Sequence, residues 1–266
     1  MSPDVPDLPA AAEITALHDG LLASPGWPQQ APSVVEGLWH WVQANHQHNS
    51  LLWGEEDLAR RITVAASEIA ANKRAIDRHN QARNDATERV DEILLVALGL
   101  VDPASARTDA PLSTVPAGAR LNSETAGSMI DRLSIMALKV HAMRAQTLRV
   151  DVDEAHRDSS RGKLARLQQQ RADLAGCLDA LLADATAGRA YFKVCRHLRQ
   201  DIGNTRCTPG FICGIAAKGA STNQSIRMPG RCRRMSDTTG IACTTSPIDE
   251  VLTISRRRSL NAQPVL

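Results

Sequence analysis

The chain has 266 residues, 43% hydrophobic and 3% aromatic, long enough for one large domain or two small ones with a core of Leu, Ile, Val and Ala, a palette that favours helices over strands. Residues 195–266 carry eleven Lys and Arg against four acids, leaving the first 194 at −5 within a total of +2; an acidic body excludes nucleic acid, and a basic tail whose only aromatic is Phe211 lacks stacking platforms. Met1 to Ala12 has acids and prolines where a signal peptide needs a basic start and an apolar run, and no stretch approaches about 18 uncharged apolar residues, so a cytoplasmic protein without a membrane span is the expectation.

A first short helix is predicted over Leu8 to Ala23, ended by Ser24-Pro25-Gly26-Trp27-Pro28. Pro32-Ser33 then opens a long helical stretch, with Ser33 as N-cap and Glu36 completing a capping box. From Val34 to Leu100 there is no proline, and only Gly37, Gly54 and Gly99 interrupt. The stretch is one very long helix or two joined by a tight turn. Ile69, Lys73, Ile76, Asn80, Arg83, Thr87, Val90 and Leu94 follow at alternating steps of four and three, the spacing of a seam facing other helices. Three of the eight, Lys73, Asn80 and Arg83, are polar or charged, and the seam puts them inside, where they need partners.

A Pro-, Ala-, Ser- and Thr-rich loop spans Asp102 to Arg120. After it, Asn122 to Thr125 form a capping cluster for a helix with the seam Ile130, Leu133, Ala137, Val140, Arg144, Thr147, and Asp131 is placed in its first turn, where the dipole favours an acid. A last seam runs Leu164, Leu167, Arg171, Leu174, Leu178, Leu181. The fold expected is all-α, an antiparallel bundle of three to four long helices. Its segments are a short helix and linker over 1–33, the bundle over 34–194, and a tail over 195–266. The tail has no sustained period, ends in Arg256-Arg257-Arg258 and is expected to be disordered. It holds Cys195, Cys207, Cys213, Cys232 and Cys243 with no pair at zinc-ligand spacing, so the thiols read as reduced and structurally incidental.

Three segments concentrate polar side chains. In His46–Arg61, His46, Asn49, Trp53, Glu56 or Asp57, and Arg60 share a face. In Lys73–Asp91, Lys73, Asp77, Asn80, Asn84, Glu88 and Asp91 climb a second stripe. Asn122–His141 bears Asn122, Glu124, Asp131, Arg132, Lys139 and His141. One reading is a paired polar layer that fixes helix register. The other is a metal-assisted site in which Glu56, Asp57, Glu88 and Asp91 offer the oxygen ligands Mg²⁺ prefers, with Lys139 or Arg132 meeting substrate phosphate. Glu55-Glu56 with Glu88-x-x-Asp91 resembles the acidic helices of all-α nucleotide pyrophosphohydrolases, although Ala59 stands where a further glutamate belongs. No zincin, nucleophile-elbow, phosphate-loop or dinucleotide motif is present, and neither His46, His48 nor His141 has a nucleophile beside it in sequence. Trp39, Trp41 and Trp53 read as packing anchors.

Taken together, L-L-W-G-E-E-D-L-A-R-R (51–61), K-R-A-I-D-R-H-N-Q-A-R-N-D-A-T-E-R-V-D (73–91) and N-S-E-T-A-G-S-M-I-D-R-L-S-I-M-A-L-K-V-H-A-M (122–143) resemble the bacterial domain-of-unknown-function 4254 family over roughly 34–194. The matching positions are Asn49, Trp53, Glu56, Asp57 and Arg60; Lys73, Asp77, Asn80, Gln81, Arg83, Asn84, Asp85 and Glu88; and Asn122, Ser123, Glu124, Thr125, Asp131, Arg132, Lys139 and His141. The family assigns them no role. Its members often lie beside glycosyltransferase and envelope-polysaccharide genes, which implies an accessory or interaction protein of envelope glycan biosynthesis with glycosyltransferases among its partners; homo-oligomerisation is left open. Gly54 stands where the family usually has His, and Ala126 where it usually has Pro. The tail departs from the family's ending and reads as an aberrant extension such as a shifted frame produces.

Overall fold

The computed structural model describes residues 8–30 and 36–194, all within one compact unit. Ser33 and the tail from Cys195, with its five cysteines and its expected disorder, lie outside the described residues. Five helices carry the fold: α1 (Ala11–Ala23), α2 (Gly37–Ala59), α3 (Ala66–Ala97), α4 (Ala126–Thr147) and α5 (Glu154–Thr186). Two dipeptides, β1 (Arg120–Leu121) and β2 (Ala190–Tyr191), pair in parallel and tie the α3–α4 connection to the chain beyond α5. The protein is an all-α bundle, and among the described residues no helix is long and apolar enough to cross a membrane.

The long proline-free stretch is two helices, and none of its glycines divides it. The break falls at Arg60–Ala65, where Ile62-Thr63-Val64 crowd their own turn through β-branched side chains. Arg61 fastens the turn, its Nε donating to the Leu58 carbonyl at 2.9 Å and its guanidinium reaching Asn72 at 3.2 Å. Asn72 in turn donates to Glu55 on α2 at 2.7 Å. Gly54 is an ordinary interior residue of α2, while Gly99, at φ 67°, ends α3 in the left-handed conformation. The start of α2 also differs from expectation: Glu36 is the extended N-cap residue and Gly37 the first helical one, so Glu36 is not the third position of a capping box.

The core gathers Ile14 of α1, Val42 of α2, Val90, Leu94 and Leu95 of α3, Ile130 and Leu133 of α4, and Leu178, Leu181 and Leu182 of α5. Each such side chain contributes roughly 1.5–3 kcal/mol on burial, and Trp39 and Trp41 pack against the edge of the cluster as anchors. α1 is clamped onto α5 by polar contacts: the Ala11 N–H donates to Asp179 at 2.8 Å, and Arg171 donates to both Asp19 oxygens at 2.9 and 3.0 Å. Arg171, a charged residue on the last predicted seam, is buried for this reason.

Two seam positions fail as inside positions. Lys73 is exposed, as is Arg144 on α4. The first half of α3 buries only Ala75, because the bonds that tie α3 to α4 lie in its second half, at Arg83 and Asp91. A seam position there has one neighbouring helix instead of two.

Candidate functional site

Where α2, α3 and α4 meet, each contributes short polar side chains to one buried cluster. Asn45 and Asn49 are one turn apart on α2 and almost completely buried. The Asn45 amide donates to Asp131 Oδ1 at 2.8 Å and to Thr87 Oγ1 at 3.0 Å. The Asn49 amide lies 2.9 Å from Asp131 Oδ1, 3.0 Å from Ser134 Oγ and 3.2 Å from Asn45 Oδ1. Thr87 passes its own proton to the Arg83 carbonyl at 3.0 Å. Arg83 Nε sits 3.9 Å from Asp131 Oδ1 and its guanidinium donates to Asn84 at 3.3 Å. Oδ1 of Asp131, whose side chain is 17% exposed, is thus held by two amides with the arginine 3.9 Å away, partners that a partly buried charge requires.

Ser134 extends the cluster inward. Its oxygen accepts from Asn49, and His46 Nδ1 lies 2.8 Å away. A hydroxyl neighbour for His46 is therefore present, although the sequence shows none beside it. Both residues are fully buried. The His46 ring stacks on His18 at 4.5 Å and on Trp27 at 5.3 Å, and the Trp27 indole is fixed by Ser50 at 3.0 Å. Burial, then the charge of Arg171, pulls the His46 imidazole down to about 3; His18 is lowered by burial, by His46 and by Arg171. Both rings are neutral at physiological pH.

A second polar point joins α3 to the start of α4. Thr125 caps α4 by accepting from the Ser128 N–H at 3.1 Å, and Asp91 accepts from the Gly127 N–H at 2.6 Å. Asp91 is buried, which raises its carboxyl to about 7 against the lowering effect of its bonds from Thr125 and Gly127, with Glu88 and Glu92 adding to the rise. The acid that serves the start of α4 is thus Asp91 from a neighbouring helix. Asp131, expected in the first turn, is the sixth helical residue and turns inward instead.

Of the residues expected in a polar layer, Asn49, Arg83, Asn84 and Asp131 are brought together. Asn80 and Glu88 are half-buried on α3. Glu56 pairs with Arg60 on the surface at 3.5 Å, and Glu124 with Arg132. Asn122 accepts from Arg120 and donates to the Glu124 carbonyl in the loop before α4. Lys73, Asp77 and His141 are exposed, Asp57 and Lys139 half-buried. The four carboxylates of the Mg²⁺ reading do not converge: the Asn45–Thr87 bond sets Glu88 level with the middle of α2, and Glu56 and Asp57 lie about 11 or 12 residues further along, roughly 17 Å at helical rise. Among the described residues no group of three or more His, Cys, Asp or Glu side chains is placed to hold a metal ion. Sequence reasoning passed over Asn45, Ser134, His18 and Trp27; only the i, i+4 spacing of Asn45 and Asn49 signalled any of them.

A family model described as a protein of unknown function, DUF4254, matches residues 39–194. No curated protein and no solved structure matches the chain.

Proposed function

The chain belongs to the DUF4254 family, and from that premise we propose that it is a non-catalytic helical interaction protein, working in the cytoplasm with glycosyltransferases or other proteins of envelope glycan biosynthesis. The observation that supports the non-catalytic reading is the engagement of Asp131: its Oδ1 accepts from Asn45 and Asn49, 3.9 Å from Arg83 Nε, and the Ser134–His46 hydroxyl–imidazole pair lies fully buried. Groups arranged in this way fix the register of three helices, as polar residues do inside coiled coils. Among the described residues no group of three or more His, Cys, Asp or Glu side chains is placed to hold a cation. The envelope context rests on the family resemblance and on nothing chemical in the chain.

The test pairs two assays on the full chain. Nucleotide sugars with Mg²⁺ should give neither turnover nor a change in melting temperature, while purified envelope glycosyltransferases from the same organism should include one that forms a stable complex with it. Turnover that disappears in a folded Asp131→Asn variant would overturn the proposal, and so would failure to bind every such enzyme.

A further inference from the structure

Outside the three-helix junction, α2 and α3 bring two histidines face to face. His48 and His79 are half-buried, their rings tilted by 34° with centroids 5.5 Å apart, and their Nδ1 atoms are 3.3 Å from one another. As a hydrogen bond this is long, since N–H donors to good acceptors cluster near 2.9–3.0 Å. As the edge of a ligand tetrahedron it fits: two nitrogens each about 2.05 Å from a zinc ion at the tetrahedral angle lie about 3.3 Å apart. We propose that His48 and His79 form a binding site for a divalent transition-metal ion of the zinc type, bound through both Nδ1 atoms with water filling its remaining positions.

Three features support it. The pair is held on a hairpin locked at two levels, by Asn45–Thr87 at 3.0 Å on one side and Glu55–Asn72 at 2.7 Å on the other, so the two donors need little reorganisation to act together. Both imidazoles are lowered from their ordinary value, His48 chiefly by burial and then by His79, His79 chiefly by burial, and are the neutral ligands a metal requires. Imidazole nitrogen selects zinc, copper, nickel or cobalt and is a poor match for Mg²⁺. A neutral imidazole carries one N–H. In the free pair one Nδ1–H points at the other Nδ1, and metal binding moves that proton to Nε2 of its own ring through solvent, so no proton is lost overall. Because no third His, Cys, Asp or Glu joins the pair among the described residues, the site is weaker than a closed four-ligand site, and its water positions stay exchangeable.

Calorimetric titration of the full chain with zinc tests this, with Mg²⁺ as control. The cysteines are first alkylated with iodoacetamide, because Cys177 is exposed and thiols compete for zinc. One saturable zinc per chain is expected, no Mg²⁺ binding, and at least a tenfold loss of affinity in His48→Ala and in His79→Ala, with circular dichroism confirming that each variant keeps its helix content. Cobalt in place of zinc should give tetrahedral absorption bands that vanish in the same variants. The proposal is overturned if the alkylated wild-type chain binds no zinc saturably, or if its affinity survives in both variants; the wild-type titration decides even where a variant fails to fold.

Discussion

At Gly127 α4 lies so close to α3 that a methyl group would clash, and Gly127→Ala measures how much the bundle depends on that approach. A Cβ there would lie 2.6 Å from the Thr87 carbonyl oxygen, 2.8 Å from Asp91 Oδ1 and 2.9 Å from Asp91 Cγ. The first contact is about 0.7 Å short of an ordinary carbon–oxygen approach, and a helical carbonyl cannot swing aside. The helices must part, which costs about 1–3 kcal/mol as overpacking. The 2.6 Å bond from the Gly127 N–H to buried Asp91 is strained or lost at about another 1–3 kcal/mol. Against this, alanine gains about 1 kcal/mol of helix propensity. The net is a loss of about 3 kcal/mol, or roughly 6–12 °C in melting temperature for a domain of this size. Thermal and urea unfolding followed by circular dichroism read it directly, with Gly176→Ala as control: Gly176 has nothing within 4 Å of its Cβ position and should gain up to about 1 kcal/mol. If Gly127→Ala behaves like Gly176→Ala, the close approach of α3 and α4 is wrong.

The buried histidines and Asp91 give opposite pH dependences. His46 is depressed to about 3 from an unfolded value near 6.5, so its contribution is complete above 6.5 and falls with acidification at about 1.4 kcal/mol per pH unit, about 2 kcal/mol by pH 5. His18 acts in the same direction, and because neither of its ring nitrogens has a hydrogen-bond partner among the described residues, His18→Leu should flatten the acid limb of urea-derived stability between pH 6.5 and 5; an unchanged slope would refute this. Asp91 is raised from 3.8 to about 7, so its contribution is present below 3.8 and lost as pH rises through 7. Asp91→Asn removes that term, and its stability should fall more steeply than that of wild type on acidification from pH 7 to 4. Parallel profiles would show that Asp91 is not titrating in this range.

The fold class was legible because the seams are long and regular. Leu164, Leu167, Arg171, Leu174, Leu178 and Leu181 line the inner side of α5 as their spacing indicates, and Ile130, Leu133, Ala137 and Val140 are all buried on α4. The α2–α3 break was hidden because it uses neither glycine nor proline, only β-branched crowding at Ile62–Val64 that a helix often tolerates. At the polar junction the sequence pointed to Asn49, Arg83, Asn84 and Asp131 but not to Asn45, Ser134, His18 or Trp27. Ser134 is a small residue amid apolar neighbours, and nothing local reports that its hydroxyl meets His46 from a helix 88 positions away in sequence. Lys73 misled for the opposite reason: periodicity marks which side of a helix faces inward, but not how far along its length a second helix covers it.

The most direct test of the architectural reading compares wild type with Asp131→Ala by urea unfolding, each with and without Mg²⁺ and a panel of nucleotide sugars. Asp131 accepts from two buried amides through Oδ1, and removing that oxygen leaves both donors short of an acceptor, which should cost about 2–3 kcal/mol. The expected result is that loss in the absence of any ligand, with no ligand stabilising either protein. A variant as stable as wild type, but deprived of a stabilisation that a nucleotide sugar gives the native chain, would contradict it and make Asp131 a ligand-binding residue.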